Sequence, residues 1–511
     1  MDGVDLQSRL HILLHSNKPA ECLEFPAIHS AISSIDGRLE LLDGELSRLR
    51  HRLAELEEDR AALCRSRDQH VGILSPLRRM PAETLGEIFT WALPSLVDLD
   101  QRKSFIKQSP WVLTHVCSQW RATAISMPSL WSMLYVDRSY SLAAAEAQIP
   151  RAQRLKIHFY GSEEREVRPQ VRLLPFLIEH SARWEDLNIQ LTEGLLPVLP
   201  SIRNVPSLRR VAFEWNEDED DDSDDEDDDA ARSVVVDYLR TAPHLSDLRV
   251  CRQLSVAFAP AVHQLTRYHA DAPWDTHRGI LSANLALVEV HINVNPHPVW
   301  PATGQVIQLP QLRRLYVSHA ALLQYLQVAV LEQFTLRLMW DETYVIPALD
   351  RFIRETANTV RRLCLRGLPH DALASQLISR YTSLTELAII ISGGDDYEFD
   401  EDSAHGTIPD DLVELITDLP TQIAGLHLAF EDTLPFDYEL WADMLESRWL
   451  MGQGALRLVA LCFNGRRRPK PDPGTLQRLR SLRRSGLEYK LVKGADLWDH
   501  IAPWMCRPMW Y

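Results

Sequence analysis

The sequence predicts a chain of mixed α+β, or α/β repeat, class: an N-terminal coiled-coil helix, a small helical unit, then a long irregular array of strand-and-helix repeats. Three observations carry that expectation. A four-three alternation of Leu and Ile runs from Ile28 to Leu63, two amphipathic stripes lie between residues 76 and 134, and a short apolar motif recurs from about 152 onward. At roughly 150 residues per domain, 511 residues allow several generic domains or one long repetitive one.

The first element spans residues 1–75. Ile28, Ile32, Ile35, Leu39, Leu42, Leu46, Leu49, Leu53, Leu56, Arg60 and Leu63 follow spacings that alternate four and three. That period places one narrow apolar seam along a helix, with a single lapse at Arg60. Gly37 and Gly44 fall on the outward f position, where each costs about 1 kcal/mol of helix propensity without interrupting packing. In a parallel dimer, Arg38 faces Asp43, Glu45 faces Arg50 and Arg52 faces Glu57, and all three pairs attract. A parallel homodimer joined through Leu39, Leu42, Leu46, Leu49, Leu53 and Leu56 is therefore expected. The alternative is that the seam packs against the segment that follows.

The second element spans residues 76–134. Pro81 suits the first turn of a helix and Glu83 favours its positive end, while Leu85, Ile88, Phe89 and Ala92 line one face. A second stripe, Leu113, Val116, Cys117, Trp120 and Ala124, ends near Pro128 and is followed by Leu130-Trp131.

Taken in order, Met80-Pro81, Leu85-Gly86-Glu87-Ile88-Phe89, Val116-Cys117-Ser118-Gln119-Trp120-Arg121 and Leu130-Trp131 resemble an F-box. A coiled coil leading into this string also resembles the F-box proteins abundant in mushroom-forming fungi. The resemblance implies docking to a Skp-family adaptor, which bridges to a cullin scaffold and its RING subunit for ubiquitin transfer. The adaptor-binding residues it implies are Leu77, Pro81, Leu85, Ile88, Phe89, Val116, Trp120 and Trp131. The alternative role for each is ordinary packing inside the unit. Two departures bear on docking: Met80 stands where Leu is usual, and residues 94–110 lengthen the spacer.

The third element covers residues 152–511. An apolar residue, two spacers and an alternating apolar pair recur at Trp184-Leu187-Ile189, Leu208-Val211-Phe213, Leu245-Leu248-Val250, Leu312-Leu315-Val317, Val360-Leu363-Leu365, Leu384-Leu387-Ile389 and Ile423-Leu426-Leu428. Weaker copies begin near 152, 265, 285, 331 and 456. The alternation reads as a short strand with one buried face, and segments such as Leu349 to Thr356 and Leu373 to Arg380 suit intervening helices. A mean interval of about 26 residues resembles degenerate leucine-rich repeats, which implies an irregular solenoid; an ordinary α/β domain is the alternative. In the solenoid, Asp186, Asn188, Arg210, Asp247, Arg249, Glu289, Arg314, Tyr316, Arg362, Glu386 and His427 line the concave face. Arg249, Arg314, Tyr316, Arg362, Glu386 and His427 are the candidate contacts for an unidentified protein target. For each, a solvated sheet face is the alternative.

Charge narrows the function further. The formal net charge is −17, but the run Glu217 to Asp229 supplies twelve carboxylates around Ser223 and leaves the remainder at −5. Nucleic-acid affinity rests mainly on neutralising phosphates, so no nucleic-acid role is expected. The run reads as a disordered loop between repeats, with a basic partner or phosphorylation of Ser223 as functional alternatives. Asp395 to Asp402 reads as a second acidic loop without a calcium-loop pattern, and Arg466 to Lys470 as a solvated loop rather than a nuclear signal. His11 and His15 share a helix face without the glutamate of a zinc protease motif, so zinc is not expected there. Trp498, Trp504, Trp510 and Tyr511 are expected to cap the exposed core of the last repeat.

No spanning run and no secretory leader is evident, so no membrane association is expected. Seven cysteines stand at least 42 residues apart and no glycosylation sequon occurs, which favours reduced thiols in the cytoplasm or nucleus. Catalytic and cofactor motifs are absent, so neither a cofactor nor an enzymatic activity is expected. The leading expectation is a substrate-recognition subunit of a Skp-cullin-F-box ubiquitin ligase. A non-ligase coiled-coil and repeat scaffold comes second, and an unrecognised C-terminal enzyme third.

Overall fold

The computed structural model describes residues 11–16, 18–93, 110–137, 140–161, 168–192, 194–215, 233–235, 239, 241–251, 255–257, 264–294, 305–338, 346–367, 377–391, 416, 419–420, 422–430, 436–451, 455–463, 471–494 and 496–505. The chain forms two compact units, Met1–Leu85 and Gly86–Tyr511.

The first unit is dominated by α1, Phe25–Ile73, whose 49 residues extend about 74 Å at the α-helical rise. Pro26 stands in its first turn, where a missing N–H costs nothing. The whole Ile28 to Leu63 seam lies on this helix, and no residue of the helix is buried. Leu39, Leu42, Leu46, Leu49, Leu53 and Leu56 are all exposed. Helices take most of their stability from packing an apolar face, and among the described residues nothing covers this one. A 3₁₀ turn, Pro76–Arg79, follows.

Helix α2, Ala82–Trp91, carries the chain from one unit into the next. The second stripe, expected as one helix, is two: α3, Leu113–Val116, and α4, Ser118–Ile125. The break is at Cys117, which is extended at φ −159° and caps α4 by accepting the Trp120 N–H on Sγ at 3.5 Å. Arg121 donates from Nε to the Thr114 carbonyl at 2.8 Å, satisfying an acceptor freed by the break. The next turn, Pro128–Trp131, runs almost directly into the first strand.

The rest is built on a parallel sheet. Its strands are β1 Met133–Val136, β2 Leu155–Tyr160, β3 Trp184–Leu191, β4 Arg210–Trp215, β5 Asp247–Cys251, β6 Arg267–Asp271 and β7 Glu289–Asn293. They continue as β8 Arg314–Val317, β9 Gln333–Arg337, β10 Arg362–Arg366, β11 Glu386–Ile391, β12 Gly425–Phe430, β13 Leu458–Phe463 and β14 Glu488–Lys493. All fourteen lie side by side in chain order, and every ladder is parallel, as between β10 and β11. Every expected copy falls on one of them: the seven strong copies on β3, β4, β5, β8, β10, β11 and β12, the weaker ones on β2, β6, β7, β9 and β13. Strands β1 and β14 extend the sheet beyond the copies.

Parallel neighbours need a crossover between them, and helices supply several, among them α5 Leu142–Gln148, α6 Arg168–Ile178, α7 Trp274–Ala283, α8 Ile346–Thr356, α9 Tyr438–Met451 and α10 Pro473–Arg484. The expected helix at Leu349 to Thr356 is the body of α8; that at Leu373 to Arg380 is helical from 377, its first residues lying outside the described ones.

Register sorts the strand residues into rows. Leu187, Val211, Leu248, Tyr268, Val290, Leu315, Phe334, Leu363, Leu387, Leu426 and Val459 form one buried row, and Ile189, Phe213, Val250, Ala270, Ile292, Val317, Leu336, Leu365, Ile389, Leu428 and Leu461 another. Both face the side on which α8 packs, as the Phe334–Phe352 rings at 5.1 Å show. Burying each large aliphatic side chain contributes about 1.5–3 kcal/mol, so these rows hold the core, and the alternate residues form the opposite face.

Candidate functional site

The candidate site residues lie on the described helical elements within 77–93 and 110–131 and on the second face of the sheet. In the helical segment the expected adaptor contacts divide by exposure. Phe89 is buried with its ring 4.9 Å from that of the half-buried Trp120. Trp131 is buried, donates from Nε1 to the Ala124 carbonyl at 2.8 Å, and meets Trp111 edge-on at 5.0 Å. Gln148 ties this corner to the sheet by donating to the carbonyls of Trp131 at 3.1 Å and Met133 at 2.7 Å. Leu85 is also buried. Ile88 and Val116 are 41% and 54% exposed, and the nearby Trp91 is 86% exposed. Leu77 and Pro81, in the first unit, are exposed as well.

On the sheet, the first row of the second face alternates in charge. Asp186, Arg210, Asp247, Arg267, Glu289 and Arg314 occupy matched positions on β3 to β8, then Gln333, Arg362 and Glu386 on β9 to β11. Arg210 clasps Asp186 with Nε at 2.7 Å. Arg267 lies 3.5 Å from Asp247 and 3.8 Å from Glu289, and Arg314 lies 3.3 Å from Glu289. Arg362 pairs with Glu386 at 3.0 Å and donates to Gln333 at 3.2 Å. Asp186, Asp247 and Glu289 are buried, unlike residues of a solvated face, because long basic side chains stand beside each on the neighbouring strands: Lys156 and Arg210, Arg210 and Arg267, and Arg267 and Arg314. Burial pushes the Asp247 carboxyl up to about 6, against the pull of Arg267 and Arg210. Glu289 is raised for the same reason and pulled back by Arg314 and Arg267. Expected target contacts Arg314, Arg362 and Glu386 are therefore already engaged with one another's neighbours along a self-neutralising ladder.

The middle row runs Asn188, Ala212, Arg249, His269, His291, Tyr316, Thr335, Cys364, Ala388, His427 and Ala460 on β3 to β13. Arg249 reaches Glu214 at 3.7 Å and the Cys251 Sγ at 3.3 Å. His269, His291 and Tyr316 form a continuous stack with 3.7 Å between successive rings. Burial pushes the Cys251 thiol up to about 11, so it is a protonated thiol at neutral pH, 3.3 Å from His269 Nε2.

His269, Asp271 and His291 bring ligand-type atoms within 4.8 Å of one another. Their geometry does not suit a divalent ion. The two imidazole planes are only 21° apart, so their in-plane lone pairs run side by side instead of converging on a point about 2 Å from each nitrogen. The Arg249 guanidinium beside this group supplies a cation already.

The C-terminal end of the described chain lies across this face. Helix α11, Asp496–Ile501, and the turn after it bury Leu497, Ile501, Trp504 and Met505 against Tyr316, Cys364, Ala388, Ile390, Ala429, Ala460 and Cys462. Gln333 donates from Nε2 to the Pro503 and Trp504 carbonyls at 2.8 and 3.1 Å, and Thr335 donates to Trp504 at 2.5 Å. His291 Nδ1 meets the Met505 carbonyl at 2.6 Å, and His427 Nδ1 meets His500 Nε2 at 3.0 Å. The Arg362 guanidinium sits 4.1 Å from the Trp504 ring centre.

Two expectations change here. Tyr316 and His427, read as open target contacts, are buried, Tyr316 within the tail's cluster and His427 beneath the rings of His500 and Trp504. Trp504, read as a cap on the last repeat, instead lies over β10 and β12, because the small side chains there leave room for an indole. The side chain of Trp498 and all of Trp510 and Tyr511 lie outside the described residues, as do the run 217–229 with Ser223, the acidic loop 395–402 and the basic run 466–470. His11 and His15 do meet, edge-on at 4.5 Å.

Sequence reasoning missed Gln333, Thr335, His291 and His500. A signal was present: the middle residue shrinks to Cys364, Ala388 and Ala460 in three of four consecutive copies, His427 being the exception, which marks where bulk must arrive from elsewhere. No protein-family model and no curated protein matches this chain.

Proposed function

We propose that this chain is the substrate-receptor subunit of a cullin-RING ubiquitin ligase, docking a Skp-family adaptor through its F-box-like segment and holding a protein target on a leucine-rich-repeat-like solenoid. The observation that carries this reading is the division within the motif. Phe89 packs on Trp120 and Trp131 on Trp111, while Ile88 and Val116, from the same motif, stay exposed, as does Trp91. Exposed aliphatic and indole side chains held on short, rigid helices suit a partner helix. The strands in chain order, one per sequence copy, support the repeat reading.

A receptor works by holding its target near the charged ubiquitin carrier, which raises effective concentration without chemistry of its own. The test is co-purification with the adaptor of the full chain and of Ile88→Asp with Val116→Asp. Both sites are exposed, so the double variant is expected to keep its fold and lose at least about tenfold in adaptor affinity. Retained binding, or no binding by the wild type, refutes the ligase reading.

A second reading, a non-ligase scaffold, is favoured by the 49-residue α1, which buries none of its own residues. It predicts partner capture that survives the same double substitution.

A further inference from the structure

We propose that the trough on β9 to β13 is a recognition surface for a short peptide segment carrying an indole followed by an aliphatic side chain, and that residues Asp496–Met505 are its resident cis occupant, which an external segment of that chemistry displaces.

The trough is a matter of side-chain volume. On β7 and β8 the middle row presents His291 and Tyr316, which stack and stand tall. From β9 onward it presents Thr335, Cys364, Ala388, His427 and Ala460, and the next row presents Arg337 and Arg366 on β9 and β10, then Ile390, Ala429 and Cys462 on β11 to β13. Bulk lost from the sheet is restored by Leu497, Ile501, Trp504 and Met505, all buried there. Packed interiors leave few voids, so without the tail this trough is an open apolar surface needing a cover.

The way the tail is held fits an exchangeable ligand better than a structural strand. It adds no strand to the sheet, and it is joined to β14 through Gly494, whose φ of +54° marks a sharp turn that glycine accommodates readily. Most of its polar anchors are the main-chain carbonyls of Pro503, Trp504 and Met505, received by Gln333, Thr335 and His291, with His500 Nε2 against His427 Nδ1 as the one side-chain anchor described. Backbone carbonyls are common to every peptide, so those anchors give affinity without sequence choice. Selectivity comes from the indole between the Arg362 guanidinium and the His427 ring, at 4.1 and 4.9 Å, where the cation meets the ring face. On the ladder side of the trough, Arg362 and Glu386 are already paired with each other. That the external segment belongs to a ubiquitylation target rests on the receptor reading; the peptide site itself does not.

The test uses the full-length chain with a protease site inserted after Gly494 and cut once the protein has folded. The probe is a fluorescent peptide copying residues 496–505. The proposal expects saturable uptake by the cut chain and at least about tenfold weaker uptake by the uncut chain, whose face is occupied at high effective concentration. It expects a loss of about fivefold with Trp504→Ala in the peptide or Arg362→Ala in the chain. Lack of uptake by a cut chain that keeps its near-ultraviolet circular dichroism overturns the proposal, as does equal binding of the Trp504→Ala peptide. Loss of cooperative unfolding once the cut tail is displaced also overturns it, since the tail is then part of the core. Adaptor capture by the same cut chain separates the two readings: peptide uptake without adaptor binding removes only the ligase assignment.

Discussion

His427 is held neutral by everything around it. Burial opposes its protonation most, then His500, Arg362 and Lys490, and together they lower its pKa to about 3. An unfolded histidine titrates near 6.5, so between about 6.5 and 3 the unfolded chain binds a proton that the folded chain refuses. Stability contributed here is complete above the unfolded value and is lost as pH falls through that window. His158 and His277, lowered to about 4 mainly by burial, act in the same direction. Asp247, raised to about 6, acts in the opposite sense, since its unfolded carboxyl gives up a proton first as pH rises. The three histidines outweigh it, and the urea midpoint of the full chain is expected to fall between pH 7 and pH 4.5. His427→Asn is expected to flatten part of that fall; an unchanged slope refutes the assignment. The sequence marks His427 as a face residue, but its neutrality depends first on burial and then on His500, 73 residues away, which no local pattern announces.

At the scale of elements, the seam of α1 was legible because a helical seam needs only a repeating spacing within one segment, while the ends of the helix at Phe25 and Ile73 were not. What the spacing leaves open is what covers it. Leu46 and Leu53 are 47% and 57% exposed, and Arg52 pairs with Glu55 of its own helix at 2.8 Å. The full chain is expected to sediment as a dimer, and Leu46→Glu with Leu53→Glu as a monomer, since each places a carboxylate in the seam. A monomeric wild type at micromolar concentration refutes this. The strands were legible for a similar reason, the two-residue period of a half-buried strand. The break at Cys117 was not, because the stripe through it keeps helical spacing while a backbone at φ −159° interrupts the helix.

Across the whole molecule, fourteen strands in chain order mean that each gains ladder hydrogen bonds from its immediate neighbours alone. Opening is then easiest at the two edges, where one neighbour is missing, and hardest in the middle, where the tail covers β8 to β13 as well. Amide exchange is expected to be slowest on β9 to β12 and fastest on β1 and β14; uniform protection from edge to edge runs against it. The self-paired charge ladder belongs to this scale too. Its alternation of Asp, Arg, Asp, Arg, Glu and Arg on β3 to β8 is written at intervals of 20 to 37 residues, and it becomes a row only when parallel register sets the copies side by side.

The sequence by itself determined the elements: the long seam of α1, the aromatic helical segment, and a strand at every recurring copy. Those follow from periodicity within a few residues of chain, which fixes local backbone and which face is apolar. Only the tertiary structure decided what the second face of the sheet meets. Whether Arg362 and His427 stand open or lie under Trp504 depends on contacts spanning 77 to 142 residues, and such contacts are chosen by complementary volume, which leaves no period to read.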